Sequence, residues 1–185
     1  MTAFTEFYRR GFQGASVNRI VEEAATTKGA LFHHFNGKSE LGRAVVDEIL
    51  YPTVKEKWID PLDQSDHPIE TLREILTGME ANCDPETLCQ GCPLNNLAQE
   101  MSPLDESFRL RLERIYSAWR DATSRAFERG MAAGNVRSDA HPQRIGAFLV
   151  ACLAGTIGTA KNAQDVEIMK HCGEEIFAYL DQLRS

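Results

Sequence analysis

The chain has 185 residues, 43% of them apolar and 25% charged, a composition that excludes wholesale disorder and suits one large core or two small ones. Uninterrupted apolar runs stay short of the ~18–20 residues of a bilayer span, and Met1 to Phe12 lacks a secretory core. A cytoplasmic protein without a membrane partner is therefore expected. The net charge of −7 lies outside the first 50 residues, where six basic side chains balance six acidic ones. A neutral head on an acidic body is the result.

Almost no segment alternates apolar and polar residues at strand length, and the pattern is helical throughout. Ala3 to Gly11 places Phe4, Phe7 and Tyr8 on one face. Ser16 is a good N-cap, and Val17, Ile20, Val21 and Ala24 follow at helical spacing. Thr26 and Thr27 can cap a short helix from Lys28 to Phe35, which the Asn36-Gly37 pair ends. A longer helix begins near Lys38, with Leu41, Val45 and Ile49 inward, and helps to close the small N-terminal core.

Pro61 to Pro68 reads as a polar linker, Ile69 to Asn82 as a fifth helix and Cys83 to Pro93 as a loop. Leu94 to Met101 is a short helix. Ser102-Pro103 suits the start of a long one from Leu104 to Ala133, which Gly134 would stop. Pro142 to Lys161 and Asp165 to Leu183 complete the chain. These two helices are apolar on most of their circumference and rich in small residues, so burial on more than one side is expected. A subunit interface through Phe148, Leu149, Leu153, Ile157, Ile176 and Leu180 would supply it; a central core helix within one protomer is the plainer alternative.

Ser16 to Lys38 reads as helix, tight turn, helix, the spacing of a helix-turn-helix whose second helix enters the major groove. Lys28, His33 and His34 fall at solvent-facing positions, with Leu31 and Phe35 inward. Hydroxyls at Ser16, Thr26 and Thr27 stand beside helix N-termini, where phosphate is favoured.

The run GFQGASVNRIVEEAATTKGALFHHFNGKSEL, Gly11 to Leu41, resembles the DNA-binding domain of the TetR family of bacterial transcriptional repressors. Matched positions include Gly11-Phe12, Ser16-Val17, Lys28-Gly29, His34-Phe35 and Lys38. Gly91-Cys92-Pro93-Leu94 with Asn96-Leu97-Ala98-Gln99-Glu100 resembles a segment of one subgroup's ligand-binding domains. The resemblance implies an all-α fold of about nine helices: a helix-turn-helix DNA-binding domain over residues 1–48 and a ligand-binding and dimerisation domain over 49–185.

It also implies roles for single residues. Thr27 and Lys38 would bind phosphate, Ser16 would touch the backbone, and Lys28, Gly29, Ala30 and His33 would lie nearest the base edges. Phe32 stands where the family often has tyrosine, so a phenol–phosphate bond is lost, and Phe32 and Phe35 read more readily as core. His34 either caps the small domain or touches phosphate. The chain begins two residues before Ala3, so the basic arm common in the family is missing or lies outside this sequence. An apolar effector cavity would be lined by Met79, Leu97, Met101, Phe108, Ile115, Tyr116 and Trp119.

Cys152 and Cys172 lie on apolar stripes, as packing residues do. Cys89 and Cys92 form a possible thiol sensor, since loop exposure and a helix start favour thiolate. Cys83, Cys89 and Cys92, even with His67, lack the paired short spacings of a zinc site, so no metal or cofactor is expected. A cysteine-dependent enzyme finds no catalytic motif here. A helical adaptor that binds no DNA would require the face from Lys28 to Lys38 to be incidental. The expectation is thus a repressor, not an enzyme: a homodimer on an inverted-repeat operator in double-stranded DNA, released by a small hydrophobic or thiol-reactive effector.

Overall fold

The computed structural model describes residues 1–185 and contains no β-strand, only one isolated bridge between Val136 and Arg184. The helices are α1 (Thr2–Gly14), α2 (Val17–Glu23), α3 (Lys28–His34), α4 (38–63), α5 (Pro68–Ala81), α6 (Pro85–Gln90), α7 (Pro93–Met101), α8 (Glu106–Ala132), α9 (Pro142–Ala163) and α10 (Val166–Asp181). Setting aside α6, a six-residue turn of helix, nine helices make the expected all-α fold. Residues divide into two compact units: Met1–Thr53 with Pro93–Ile115, and Val54–Cys92 with Tyr116–Ser185.

The first unit is built around Phe12. Its ring packs at 5.2 Å from that of Phe7 and edge-on at 4.9 Å from that of Phe108. Gly42 makes room for both rings, since a Cβ there would stand 2.5 Å from Phe12 and 2.8 Å from Phe108. Ile20, Val21, Leu41, Val45, Leu94, Met101 and Leu112 are among the other buried residues of this core. α1 is kinked at Gly11, whose φ of +72° is a left-handed conformation that suits glycine. In the second unit Trp58 and Trp119 pack with ring centroids 4.6 Å apart, and Leu62, Ile69, Leu72, Phe127, Ile145, Leu149 and Leu180 are buried.

Several boundaries differ from the sequence reading. α4 does not stop at Pro61 but continues to Asp63, with π-type turns at Val46–Leu50 and Lys55–Ile59. Each wide turn lies just ahead of a proline, Pro52 or Pro61, whose missing N–H cannot join a regular α ladder. Cys83 to Pro93 is not all loop, because the Asp84 carboxylate accepts the Thr87 N–H at 2.7 Å and starts α6 at Pro85. α8 begins two residues later than Leu104. Asp105 is its cap, accepting the N–H groups of Ser107 and Phe108 at 2.8 and 3.2 Å.

α9 carries one face into the second unit's core through Ile145, Gly146, Leu149, Val150, Leu153, Thr156 and Ala160. By length and composition alone it could cross a membrane, its most apolar window reaching a mean hydropathy of 1.3. Ala147, Phe148, Ala151, Gly155 and Thr159 lie exposed on its other side.

Candidate nucleic-acid interface

α3 is a helix with no buried residue. It is seated by Leu31 and Phe35, both half-buried, while Lys28, Gly29, Ala30, Phe32, His33 and His34 are exposed. Thr27 caps it: the hydroxyl oxygen accepts the Ala30 N–H at 3.1 Å, which leaves the hydroxyl hydrogen free to donate outward. The ring of His33 packs edge-on against that of His34 at 5.1 Å. The four-residue link from α2 passes through Ala25 at φ +49°.

Two glycines of this unit have different causes. Gly42 is demanded by the core. Gly29 is not, since a Cβ there would meet only the Thr27 hydroxyl, at 3.8 Å. A helix residue without a side chain, on an exposed face and with open space above it, is what close approach of another body requires.

Three residues stand differently from the sequence reading. Phe32, read as core, is 45% exposed, because Leu31 and Phe35 already fill the seat beneath α3. Lys38 points inward: its ammonium donates to the carbonyls of Phe12, Gln13 and Ala15 at 2.9, 3.1 and 3.1 Å and lies over the Phe12 ring. Its three N–H groups are thus engaged within the unit. Ser16 stands at the N-cap of α2 but makes no side-chain cap; its backbone N–H donates to Glu6 at 2.9 Å.

Glu6 and Glu100 are the residues that sequence reasoning missed. Glu6 is 4% exposed and accepts from Ser16 and from the Arg19 guanidinium at 2.8 Å, with Arg10 at 3.3 Å. Burial alone would raise its pKa, but the bonds from Arg19 and Ser16 outweigh it and hold the carboxyl below its ordinary value. A carboxylate between Ala3 and Phe7 on a buried face, four residues before Arg10, was a readable signal. Glu100 accepts the N–H groups of Phe12 and Gln13, each at 2.7 Å. No local pattern announces a pairing across 88 residues.

The expected effector residues scatter. Leu97, Met101, Phe108 and Ile115 are buried in the first unit, Phe108 against Phe12, because that core needs them to cover the short α1–α3. Trp119 packs on Trp58, and Tyr116 is half-buried. Met79 borders a cavity of about 130 Å³ among α5, α9 and α10, with Leu76, Leu153, Ile157, Met169 and Phe177.

Leu149, Leu153, Ile176 and Leu180, expected at a subunit interface, are instead buried against their own unit. Helical phase marks an apolar face without saying which chain covers it. Phe148 is 48% exposed, its ring 4.8 Å from that of Tyr179, and Ile157 is half-buried. Among the thiols, Cys89 is exposed and Cys83 and Cys92 are half-buried. Burial, with Asp84 nearby, pushes the Cys83 thiol up.

A helix-turn-helix whose second helix presents one open face, set in an all-helical chain, defines a DNA-binding regulator. Residues 2–45 match the tetR family of bacterial regulatory proteins, and residues 68–175 match the tetracyclin repressor-like C-terminal domain. The chain belongs to this family of transcriptional regulators, whose partner is DNA. It is 28% identical over 151 residues to the HTH-type transcriptional repressor DhaR of Mycobacterium sp. strain GP1, covering 82% of this chain and 74% of that one. A Lactococcus lactis HTH-type transcriptional regulator from the lacX 3' region is 34% identical over 110 residues, 60% of this chain and 56% of its own length. This chain therefore spans little more than half of that relative. In fold it is similar to Escherichia coli NemR in its reduced form, with a TM-score of 0.86 at 19% identity, covering 100% of this chain and 93% of the other. A Chloroflexus aurantiacus TetR regulator gives 0.84 at 21%, covering 99% and 92%.

Proposed function

We propose that this protein is a ligand-responsive repressor that binds an inverted-repeat operator as a homodimer in the cytoplasm and is not an enzyme. The observation that carries the DNA contact is the exposed face of α3, from Lys28 to His34, with its unfilled space over Gly29. In this reading Thr27 donates to phosphate from its free hydroxyl hydrogen, and Ser16 lies near the same strand. Lys28, Gly29, Ala30 and His33 face base edges, Phe32 contributes apolar contact, and His34 borders the phosphates. Lys38 serves by shaping the head rather than by touching DNA.

The functional division follows the sequence reading, with residues 1–48 contacting DNA and 49–185 sensing and pairing. Dimerisation would use the outer face of α9, where Ala147, Ala151, Gly155 and Thr159 recur every fourth residue beside Phe148. A Cβ on Gly155 would meet nothing within 4 Å, so a second helix can come close. A helix apolar on both sides, one face in its own core and the other against a copy, accounts for the hydropathy of α9. Two heads related by a two-fold axis read two half-sites as an inverted repeat.

The effector site in this proposal is the cavity beside Met79. Its volume is below the ~300–1,000 Å³ of drug-sized sites, and its apolar wall, with Glu80, Lys170 and Glu174 also lining it, suits a small, mainly apolar compound. The second reading, a thiol-reactive effector, is favoured by the exposure of Cys89. Binding must favour the non-DNA-binding arrangement, since equal affinity for both states shifts nothing.

The test is fluorescence anisotropy on a duplex enriched from random sequence by the wild-type protein. Lys28→Ala and His33→Ala should each alter the order of preference among sequences, and both should keep the wild-type fold. If neither variant differs from wild type on enriched and random duplexes, α3 is not the contact.

A further inference from the structure

The six residues from Gly11 to Ser16 run from the kink in α1 to the start of the helix-turn-helix, and charged groups hold them. The left-handed Gly11 breaks the helical ladder and turns two successive N–H groups, those of Phe12 and Gln13, away from α1. Both go to the Glu100 carboxylate, one to each oxygen, at 2.7 Å. From the other side the Lys38 ammonium takes the carbonyls of Phe12, Gln13 and Ala15. The Ser16 N–H goes to Glu6. Glycine at position 11 serves twice, because a Cβ there would stand 3.0 Å from Glu100 Oε2 and push the carboxylate away.

We propose that Glu100 is a positioning residue for DNA recognition: its two-oxygen grip on Phe12 and Gln13 fixes the entry to α2 and so the pose of α3. The inference rests on the DNA-binding reading above. Charge-assisted bonds this short leave little freedom, and a slip of about 1 Å stretches them past hydrogen-bonding distance. The grip comes from α7, outside the helix-turn-helix, so the orientation of α3 is set by a segment remote from it in sequence. Glutamine at position 100 offers one acceptor oxygen and an NH₂ group, so it can satisfy one of the two N–H groups and must turn a donor toward the other.

The experiment compares wild type with E100Q on the enriched duplex and on a random duplex of equal length. Hydrogen exchange at the Phe12 and Gln13 amides is followed in parallel. E100Q should bind the enriched duplex about tenfold or more weakly. Its affinity for random DNA should hold within about twofold, since the phosphate donors are untouched. The two amides should exchange about tenfold or more faster, with the buried amides of α8 unchanged. E100D, shorter by one methylene but still charged, should fall between the two and serves equally should E100Q fail to fold. Unchanged binding to the enriched duplex overturns the proposal. So does a parallel loss on both duplexes with faster exchange throughout, which marks a merely structural residue. A wild-type protein that enriches no duplex overturns the DNA-binding reading and the grip with it, whereas enrichment with an indifferent E100Q overturns the grip alone.

Discussion

Replacing Gly29 with alanine should make the protein more stable and worse at binding DNA, two effects of opposite sign from a single methyl group. That methyl meets only the Thr27 hydroxyl, at 3.8 Å, an ordinary contact distance. Alanine is favoured over glycine by about 1 kcal/mol inside a helix, and about half of that is reasonable in the first turn. For a chain of this size, about 0.5 kcal/mol raises the melting temperature by ~1–2 °C. The same methyl stands where a base edge would approach, and binding to an enriched duplex should weaken about tenfold, or ~1.4 kcal/mol. Gly42→Ala is the contrasting control: its Cβ would fall 2.5 Å from the Phe12 ring, so it should cost about 1–3 kcal/mol through overpacking. Thermal denaturation by circular dichroism and anisotropy titration read the two effects separately. A Gly29→Ala protein that is stabilised yet binds DNA like wild type would refute the reasoning about this glycine.

Three further outcomes follow from other parts of the chain. Glu6→Gln should destabilise by about 1–2 kcal/mol at pH 7, the lower part of the range for charged hydrogen bonds because Arg19 and Arg10 are 40% and 55% exposed. Since the folded pKa of Glu6 is depressed, this contribution is complete above the ordinary value of 4.5 and is lost as pH falls through the folded value. Denaturant titrations should therefore show the gap closing as pH falls below 4.5, and a constant gap would contradict the assignment. Ala151→Arg should give a folded monomer by sedimentation, whereas Leu153→Arg should unfold, since the first faces outward and the second is 4% exposed. A dimeric Ala151→Arg protein would move the interface elsewhere. Alkylation should reach Cys89 well before Cys83, as mass spectrometry of peptides would show; the reverse order would remove the thiol reading.

Much of the helical layout was legible because it depends on local signals. Thr27 starts α3 as its side chain suggests, and Leu31 with Phe35 seats it as their four-residue spacing requires. Gly134, at φ +77°, follows the end of α8 as a stop signal should. Failures came where the deciding partner is remote. The inward turn of Lys38 depends on carbonyls that Gly11 exposes some 26 residues earlier. Phe108 and Met101 read as cavity lining by phase, yet the core around Phe12 claims them. Leu153 and Ile176 showed an apolar face, but periodicity cannot distinguish burial by the same chain from burial by a copy. Pro61 read as the start of a linker, and the helix instead widens its turn ahead of it and runs on to Asp63.

Hydroxyl-radical footprinting of the wild-type protein on the enriched duplex tests the central claim most directly. A homodimer presenting two copies of α3 predicts two protected half-sites related by a two-fold axis, on one face of the duplex and centred on an inverted repeat. Protection of a single asymmetric stretch, or none at concentrations where the protein is dimeric, would contradict it.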